Sequence, residues 1–294
     1  MSQNNPLSAI LDKQDFLLLD GAMATELEAR GCNLADSLWS AKVLVENPEL
    51  IREVHLDYYR AGAQCAITAS YQATPAGFAA RDLDEAQSKA LIGKSVELAR
   101  KAREAYLAEN PQAGTLLVAG SVGPYGAYLA DGSEYRGDYQ RSAEEFQAFH
   151  RPRVEALLDA GADLLACETL PNFAEISALA ELLTAYPRAR AWFSFTLRDS
   201  EHLSDGTPLR DVVALLADYP QVVALGINCI ALENTTAALQ HLHSLTALPL
   251  VVYPNSGEQY DAVSKTWHHH GEHCAHLADY LPQWQAAGAR VIGG

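Results

Sequence analysis

The chain is poor in basic residues for its size. Its 294 residues include 21 lysines and arginines against 37 aspartates and glutamates, which gives a formal net charge of −16. A chain with this charge repels phosphate backbones and anionic lipid surfaces, so binding to nucleic acid or to a membrane surface is disfavoured. The same charge does not oppose the approach of a small zwitterionic or cationic substrate.

Cysteine pairs and long apolar runs are also missing. The five cysteines are an odd number, are spread from Cys32 to Cys274 and form no CxxC pair, so we expect no disulfide framework and a reducing compartment. The N-terminal stretch MSQNNPLSAILDKQ lacks the basic head and apolar core of a signal peptide, and no later run approaches the length of a membrane span. These absences predict a cytoplasmic protein.

Short apolar runs alternate with amphipathic segments along the chain. Hydrophobic residues make up 49% and charged residues 20% of the sequence, as in globular proteins. Each apolar run is short enough and apolar enough to be a strand that is buried on both faces. The eight predicted strands are Phe16 to Asp20, Cys65 to Ser70, Thr115 to Ser121, Asp163 to Thr169, Ala191 to Thr196, Val222 to Cys229, Leu248 to Tyr253 and Ala289 to Gly294.

Seven amphipathic segments lie between these strands, and several end on a glycine that suits the left-handed residue after a helix. They are Pro48 to Ala61, Asp84 to Glu109, Ala143 to Ala160, Ala174 to Ala185, Pro208 to Ala217, Glu233 to Leu245 and His273 to Ala287. The alternation predicts a single α/β domain over residues 1–294, a (β/α)8 TIM barrel in which the loop and helix after the eighth strand are absent. A doubly wound open sheet is the alternative, but the first turn, DGAMAT, does not fit the GxGxxG phosphate loop.

Polar side chains follow several of the predicted strands. In a barrel the carboxyl ends of the strands meet at one mouth, so Asp20, Glu168, Asn228 and Cys229 are expected to converge there. Asp20 and Glu168 suit either acid–base catalysis or recognition of a substrate ammonium group, and each also suits a structural hydrogen bond. The Cys229 thiol suits either a reactive site or a small buried hydrophobe.

Histidines and cysteine are concentrated in the segment WHHHGEHCAH, from Trp267 to His276. His269 and His273 would share one face of a helix and are candidates for metal binding. The segment follows its strand by some distance and matches neither HExxH nor a two-pair zinc pattern, which favours solvated or structural histidines. Five aromatic residues are expected in the loops at the same mouth, Trp39, Tyr71, Tyr125, Tyr128 and Tyr135. Each suits core packing, and several together suit a cationic substrate, since ring faces attract onium groups.

The motifs together resemble a known family. The resemblance is carried by Leu17 to Gly31, Ile67 to Thr74, Ala119 to Tyr135, Leu164 to Asn172, Ala224 to Cys229 and Val252 to Glu258. These motifs, and the order in which they occur along the chain, are similar to those of the homocysteine S-methyltransferases, the related betaine-dependent enzymes and the homocysteine domain of cobalamin-dependent methionine synthase. The match extends through nearly the whole chain and is closest to bacterial enzymes that use S-methylmethionine.

The resemblance implies a barrel that holds one zinc ion through three cysteine thiolates. Cys229 matches the first of these, and the other two belong to a GGCC motif whose cysteine pair would follow Gly294. By the same resemblance, Asp20 and Glu168 bind the ammonium group of homocysteine. The remaining implied roles are backbone binding of the homocysteine carboxylate at Ala22 and Met23, support of the metal ligand by Asn228, and contact with the donor's sulfonium end by Trp39 and Tyr71.

The implied reaction is transfer of a methyl group from S-methylmethionine, or less well from S-adenosylmethionine, to homocysteine, which yields methionine. Two alternatives remain at this point. One is a metal-free barrel lyase or aldolase that uses Asp20 and Glu168 as acid and base, although Lys265 is not placed for a Schiff base. The other is a form that binds an amino acid without turning it over. No pattern identifies an oligomer interface, and we expect a monomer.

Overall fold

The computed structural model describes residues 5–34, 38, 40–255, 258–261, 266–269 and 277–294, with the backbone alone at 40, 258–261 and 266–269. Eight parallel strands form one sheet in the order β1-β8-β7-β6-β5-β4-β3-β2. A parallel bridge between Leu19 and Cys65 joins β1 to β2 and closes the barrel. The strands are β1 (Leu17–Leu18), β2 (Cys65–Ile67), β3 (Leu117–Val122), β4 (Leu164–Leu170), β5 (Ala191–Phe195), β6 (Val222–Asn228), β7 (Leu250–Tyr253) and β8 (Ala289–Ile292).

The predicted strands and the barrel are confirmed. Every residue of β3, β4, β5 and β6 is buried, as expected for strands that are covered on both faces. One apolar cluster fills the barrel interior, and Leu7, Ile10 and Leu11 from the N-terminal segment pack into it. A second, larger cluster lies between the sheet and the surrounding helices. These two apolar clusters hold in place the strand ends that carry the polar residues.

The helices surround the barrel. Asp84 and Ser142 begin two of them with complete capping boxes, and the Asn172 side chain caps a third by accepting a hydrogen bond from the Glu175 N–H. The helices are α1 (Ser8–Leu11), α2 (Met23–Ala29), α3 (Ser40–Glu46), α4 (Pro48–Arg60), α5 (Pro75–Ala79), α6 (Glu85–Glu109), α7 (Tyr125–Leu129), α8 (Ala143–Asp159), α9 (Phe173–Leu183), α10 (Leu209–Leu216), α11 (Leu232–Leu245) and α12 (Leu277–Ala286).

The seven predicted helices correspond to α4, α6 and α8 to α12, with ends that differ by a few residues. Gly62, Gly161 and Gly288 follow three of them with φ of +108°, +88° and +91°, which confirms the left-handed position that their sequence context predicted. Asn47 precedes α4, whose first residue is Pro48, and the Asn47 side chain makes no capping hydrogen bond. Within the part of the chain that the structure describes, no helix is both long and apolar enough to cross a bilayer.

Several elements were not expected from the sequence. The short helices α2, α3, α5 and α7 follow strands β1 to β3, and small antiparallel hairpins pair Leu197–Asp199 with His202–Leu203 and Glu258–Asp261 with Thr266–His269. Helices of five to seven residues are too short to show a hydrophobic period, so the sequence pattern alone does not reveal them. These segments form the loops at the mouth of the barrel.

Candidate active site

Asp20 lies two residues after the end of β1 and is 6% exposed. Its Oδ2 accepts a hydrogen bond from the Ile67 N–H at 2.8 Å, and His55 Nδ1 lies 3.9 Å from the same oxygen. Burial raises the pKa of Asp20 well above its ordinary value, the Ile67 hydrogen bond opposes this, and the negative charge of Glu168 raises it further. The two acids that the sequence predicted therefore lie at one mouth.

Glu168 lies near the end of β4 and is 7% exposed. The Ser121 hydroxyl donates a hydrogen bond to its Oε1, and the Tyr253 hydroxyl donates one to its Oε2 at 2.7 Å. The Trp192 indole N–H donates to that tyrosine oxygen at 3.1 Å and so fixes the tyrosine's orientation. Burial raises the pKa of Glu168, and the two hydroxyl donors partly offset the rise. A bound cation would favour the ionised form of both acids.

Asn228, the last residue of β6, links the ends of three strands. Its Oδ1 accepts from the Thr169 N–H at 2.8 Å and from the Ser194 hydroxyl at 2.7 Å, and its Nδ2 donates to Thr169 Oγ1 at 2.8 Å. The same Nδ2 donates to Cys229 Sγ at 3.3 Å. Thr169 and Cys229 have φ of +61° and +51°, a left-handed conformation that costs free energy in residues other than glycine. Asn228 therefore holds two strained strand ends in place.

The Cys229 thiol lies at the mouth and is half-buried. Burial raises its pKa to about 12, with a smaller contribution from Glu168, while hydrogen bonds from Thr169 and Asn228 lower it. Without a bound cation the thiol is therefore protonated at neutral pH. Cys229 opens onto a cavity of about 200 Å³. The cavity is also lined by Tyr135, Thr196, Leu197, Arg198, Asp199, Ser200, Ser204, Ile230, Ala231, Asn234 and Ala238.

The turn after β1 brings the first N–H groups of α2 to the same end of the barrel. Ala22 precedes the helix in an extended conformation and Met23 is its first residue. The first N–H groups of a helix have no intrahelical acceptor, which suits them to an anionic group. A side chain on Gly21 would meet the Tyr58 hydroxyl at 2.7 Å, so this close packing requires glycine.

Tyr71 follows β2 and is half-buried. Burial raises the pKa of its hydroxyl, and Glu134, Tyr135 and Cys229 raise it further, which places the ring among these groups. Trp39, the other predicted donor contact, lies outside the described residues. Two of the mouth aromatics expected from sequence, Tyr125 and Tyr128, instead pack on each other and on Phe149.

Comparisons with known proteins identify the family. The model of the family "Homocysteine S-methyltransferase" matches residues 17–294. A homocysteine S-methyltransferase from Escherichia coli is 95% identical over 294 residues, which are 100% of this chain and 95% of the relative. This chain belongs to the homocysteine S-methyltransferase family.

Other relatives are similar over nearly the whole length. The Bacillus subtilis homocysteine S-methyltransferase YbgG is 53% identical, with 99% of this chain and 93% of the relative covered. The crystal structure of the homocysteine methyltransferase MmuM from Escherichia coli in its metallated form superposes with a TM-score of 0.91 at 88% identity, covering 99% of this chain and 94% of that one. The chain is thus an enzyme of the homocysteine S-methyltransferase type with a TIM-barrel fold.

A buried ion network behind the site of this family member was not expected from the sequence. The Arg153 guanidinium donates to the Tyr71 carbonyl at 2.6 Å and to the Gly123 carbonyl. It also donates to His150 Nδ1 at 3.1 Å, and His150 Nε2 lies 2.7 Å from Glu175 Oε1. His150 is therefore neutral with its proton on Nε2, in accord with the lowering of its pKa by burial. Arg153 fixes the turns after β2 and β3, and Glu175 supplies the balancing charge.

Glu134 was also missed, although it lies inside a motif that carries the family resemblance. It occupies the short 3-10 helix Ser133–Tyr135 and is 5% exposed. The available signal in the sequence is an acid in a polar loop that is expected at the mouth.

The metal-binding residues expected from the sequence lie largely outside the described residues. Over the described ranges, no group of three or more histidines, cysteines and acids lies close enough to hold a metal ion. The cysteine pair expected after Gly294 is not part of the 294 residues. In the histidine-rich segment, His268 and His269 lie in a hairpin strand where a helix was considered, and residues 270–276 lie outside the described part.

Proposed function

We propose that this enzyme transfers a methyl group from a sulfonium donor, S-methylmethionine in preference to S-adenosylmethionine, to the sulfur of homocysteine, and so forms methionine. The observation that carries the proposal is the shared mouth of Cys229, Asp20 and Glu168 in a member of this family. Two buried acids are suited to bind the ammonium group of an amino acid, and they lie on the same rim as a thiol that a metal can use.

We propose Cys229 as one of three cysteine ligands to zinc, with the other two after Gly294. The residue fits this role because its sulfur is soft, lies at the mouth and accepts a hydrogen bond from Asn228. Zinc, when bound, supplies the Lewis acid that makes a coordinated thiol a nucleophilic thiolate at neutral pH. The left-handed backbone of Cys229 and the hydrogen bond from Asn228 to its sulfur orient this thiol.

The remaining residues bind and orient the two substrates. Asp20 and Glu168 bind the homocysteine ammonium group, while the N–H groups of Ala22 and Met23 bind its carboxylate. The two acids bind substrate and do not transfer protons, because methyl transfer from a sulfonium to a thiolate needs no general acid. Positioning the sulfur in line with the methyl carbon then supplies much of the rate.

We also propose that the enzyme acts as a monomer in the cytoplasm. Cys32, Cys65, Cys167 and Cys229, the cysteines within the described ranges, are unpaired. Unpaired cysteines are typical of reducing compartments. Sedimentation of the purified protein tests the monomer.

A donor panel tests the proposed reaction. Full-length, zinc-loaded protein is given homocysteine with equal concentrations of S-methylmethionine, S-adenosylmethionine or betaine, and methionine formation is followed by chromatography. We expect S-methylmethionine to be fastest, S-adenosylmethionine slower and betaine inactive, and we expect a zinc chelator to abolish the reaction. Fastest transfer from betaine, or full activity after zinc removal, contradicts the proposal.

A further inference from the structure

Glu134 is a buried acid that the mechanism above does not use. One carboxylate oxygen accepts a hydrogen bond from the residue's own backbone N–H, and the other, Oε2, has no hydrogen-bond partner among the described residues. A buried carboxylate oxygen without a partner is costly, so such a group commonly serves a ligand. The charge of the neighbouring Arg136 lowers the pKa of Glu134 and that of Asp131 raises it, but the Arg136 guanidinium donates its hydrogen bonds to Asp138 at 2.9 Å and to the Asp131 carbonyl at 2.9 Å.

The surroundings of Glu134 place it beside the site of methyl transfer. Its carbonyl accepts a hydrogen bond from the Thr196 hydroxyl at 2.8 Å, and both Thr196 and the adjacent Tyr135 line the cavity onto which Cys229 opens. Its charge also raises the pKa of the hydroxyl of Tyr71, the residue proposed to contact the donor. Burial raises the pKa of Glu134 itself to about 7, and a nearby cation would favour its ionised form.

We propose that Glu134 is the counter-charge for the onium sulfur of the methyl donor and determines the preference for a cationic donor. This inference rests on the proposed function. A sulfonium group has no N–H or O–H to donate, so it is held by charge and by aromatic faces, and Glu134 with Tyr71 offers both. The ammonium of homocysteine is already provided for by Asp20, which follows β1, and Glu168, which lies on β4.

The balance of charge in the reaction determines which step Glu134 assists. The homocysteine sulfur uses a lone pair to form the bond to the methyl carbon. The bond from that carbon to the sulfonium sulfur breaks, and its electron pair stays on the donor sulfur as a neutral thioether. The positive charge beside Glu134 therefore declines in the transition state. An interaction that is stronger in the ground state lowers KM without raising kcat.

Glu134→Gln tests the inference, with exposed Glu97→Gln on α6 as the matched control. With full-length, zinc-loaded protein, we expect the KM and the calorimetric Kd for S-methylmethionine to rise about tenfold or more in Glu134→Gln, as for loss of a close charge pair. We expect kcat and the KM for homocysteine to change little. Methionine, which shares the ammonium and carboxylate but lacks the onium charge, should bind Glu134→Gln and wild type alike.

Several outcomes overturn this role. In Glu134→Gln, an unchanged KM for S-methylmethionine contradicts the role, and so does a fall in kcat at constant KM. A loss of affinity for methionine as large as the loss of affinity for S-methylmethionine also contradicts it. Glu134→Asp keeps the negative charge, so its KM for S-methylmethionine should lie closer to that of wild type than the KM of Glu134→Gln does. This comparison separates an effect of charge from an effect on folding. An equal rise in the KM for S-methylmethionine in both variants contradicts the role. Failure of the proposed function is distinguishable, because wild type itself would then form no methionine from any onium donor.

Discussion

Replacing Cys229 with alanine is expected to lower methionine formation by about a thousandfold or more, since loss of a group that acts as part of a unit removes most of the catalysis of that unit. Cys229 is proposed as one of three zinc ligands, and two remaining thiolates leave the metal without the three protein ligands that a catalytic zinc needs. Zinc content measured by elemental analysis should fall from near one equivalent towards zero in the same variant.

Cys32→Ala is the matched control for this experiment. Cys32 is an unpaired, half-buried cysteine beyond the end of α2, and it packs with the cluster around Leu27 and Leu44. We expect this variant to keep its zinc and its activity. Full activity in Cys229→Ala, or an equal loss of zinc in both variants, would show that Cys229 is not a ligand.

Asp20→Asn and Glu168→Gln are expected to raise the KM for homocysteine by about a hundredfold each, as for truncating one partner of a buried charge pair. Glu168 accepts from both the Ser121 and the Tyr253 hydroxyls, so a glutamine would turn its NH2 towards one of these donors. The KM for S-methylmethionine should change little. Initial rates at varied homocysteine measure the effect, and exposed Glu28→Gln on α2 is the control.

These variants also separate recognition from proton transfer. If the acids catalyse proton transfer, kcat falls while the KM for homocysteine stays near wild type, which would contradict our assignment. If they bind the ammonium group, saturating homocysteine restores most of the rate.

The pH dependence of homocysteine binding follows from the raised pKa of Asp20. Below its raised pKa, the carboxyl group holds a proton and has no charge to offer an ammonium group. The KM for homocysteine should therefore rise as pH falls through that pKa, and Asp20→Asn should show a weaker dependence over the same range. An equal pH profile in wild type and Asp20→Asn would rule out Asp20 as the titrating group.

The sequence predicted the barrel and the rim residues because both follow from local patterns. Val222 to Asn228 is a continuous apolar run, and a fully buried parallel strand is what such a run forms. Once the strands alternate with helices, their carboxyl ends meet at one mouth, so Asp20, Glu168 and Cys229 could be placed together without coordinates.

The network behind the site could not be predicted in this way. Arg153 contacts the Tyr71 carbonyl, 82 residues earlier in the chain, and His150 contacts Glu175 across two helices. A basic residue on a helix is ordinarily solvated, and nothing in the local pattern of α8 marks one that is 1% exposed. Glu134 was missed for the same reason, since its burial depends on how α7 and the loop after it fold over the mouth.

The most direct test of the central claim follows the methyl group and the homocysteine sulfur together. Full-length, zinc-loaded protein is given homocysteine with a deuterated carbon chain and S-methylmethionine whose sulfonium methyl groups carry heavy carbon, and the methionine is analysed by mass spectrometry. We predict equal amounts of deuterated and non-deuterated methionine, each with one heavy methyl group. Formation of non-deuterated methionine alone, or of deuterated methionine without the heavy methyl, would contradict direct transfer from the sulfonium to homocysteine.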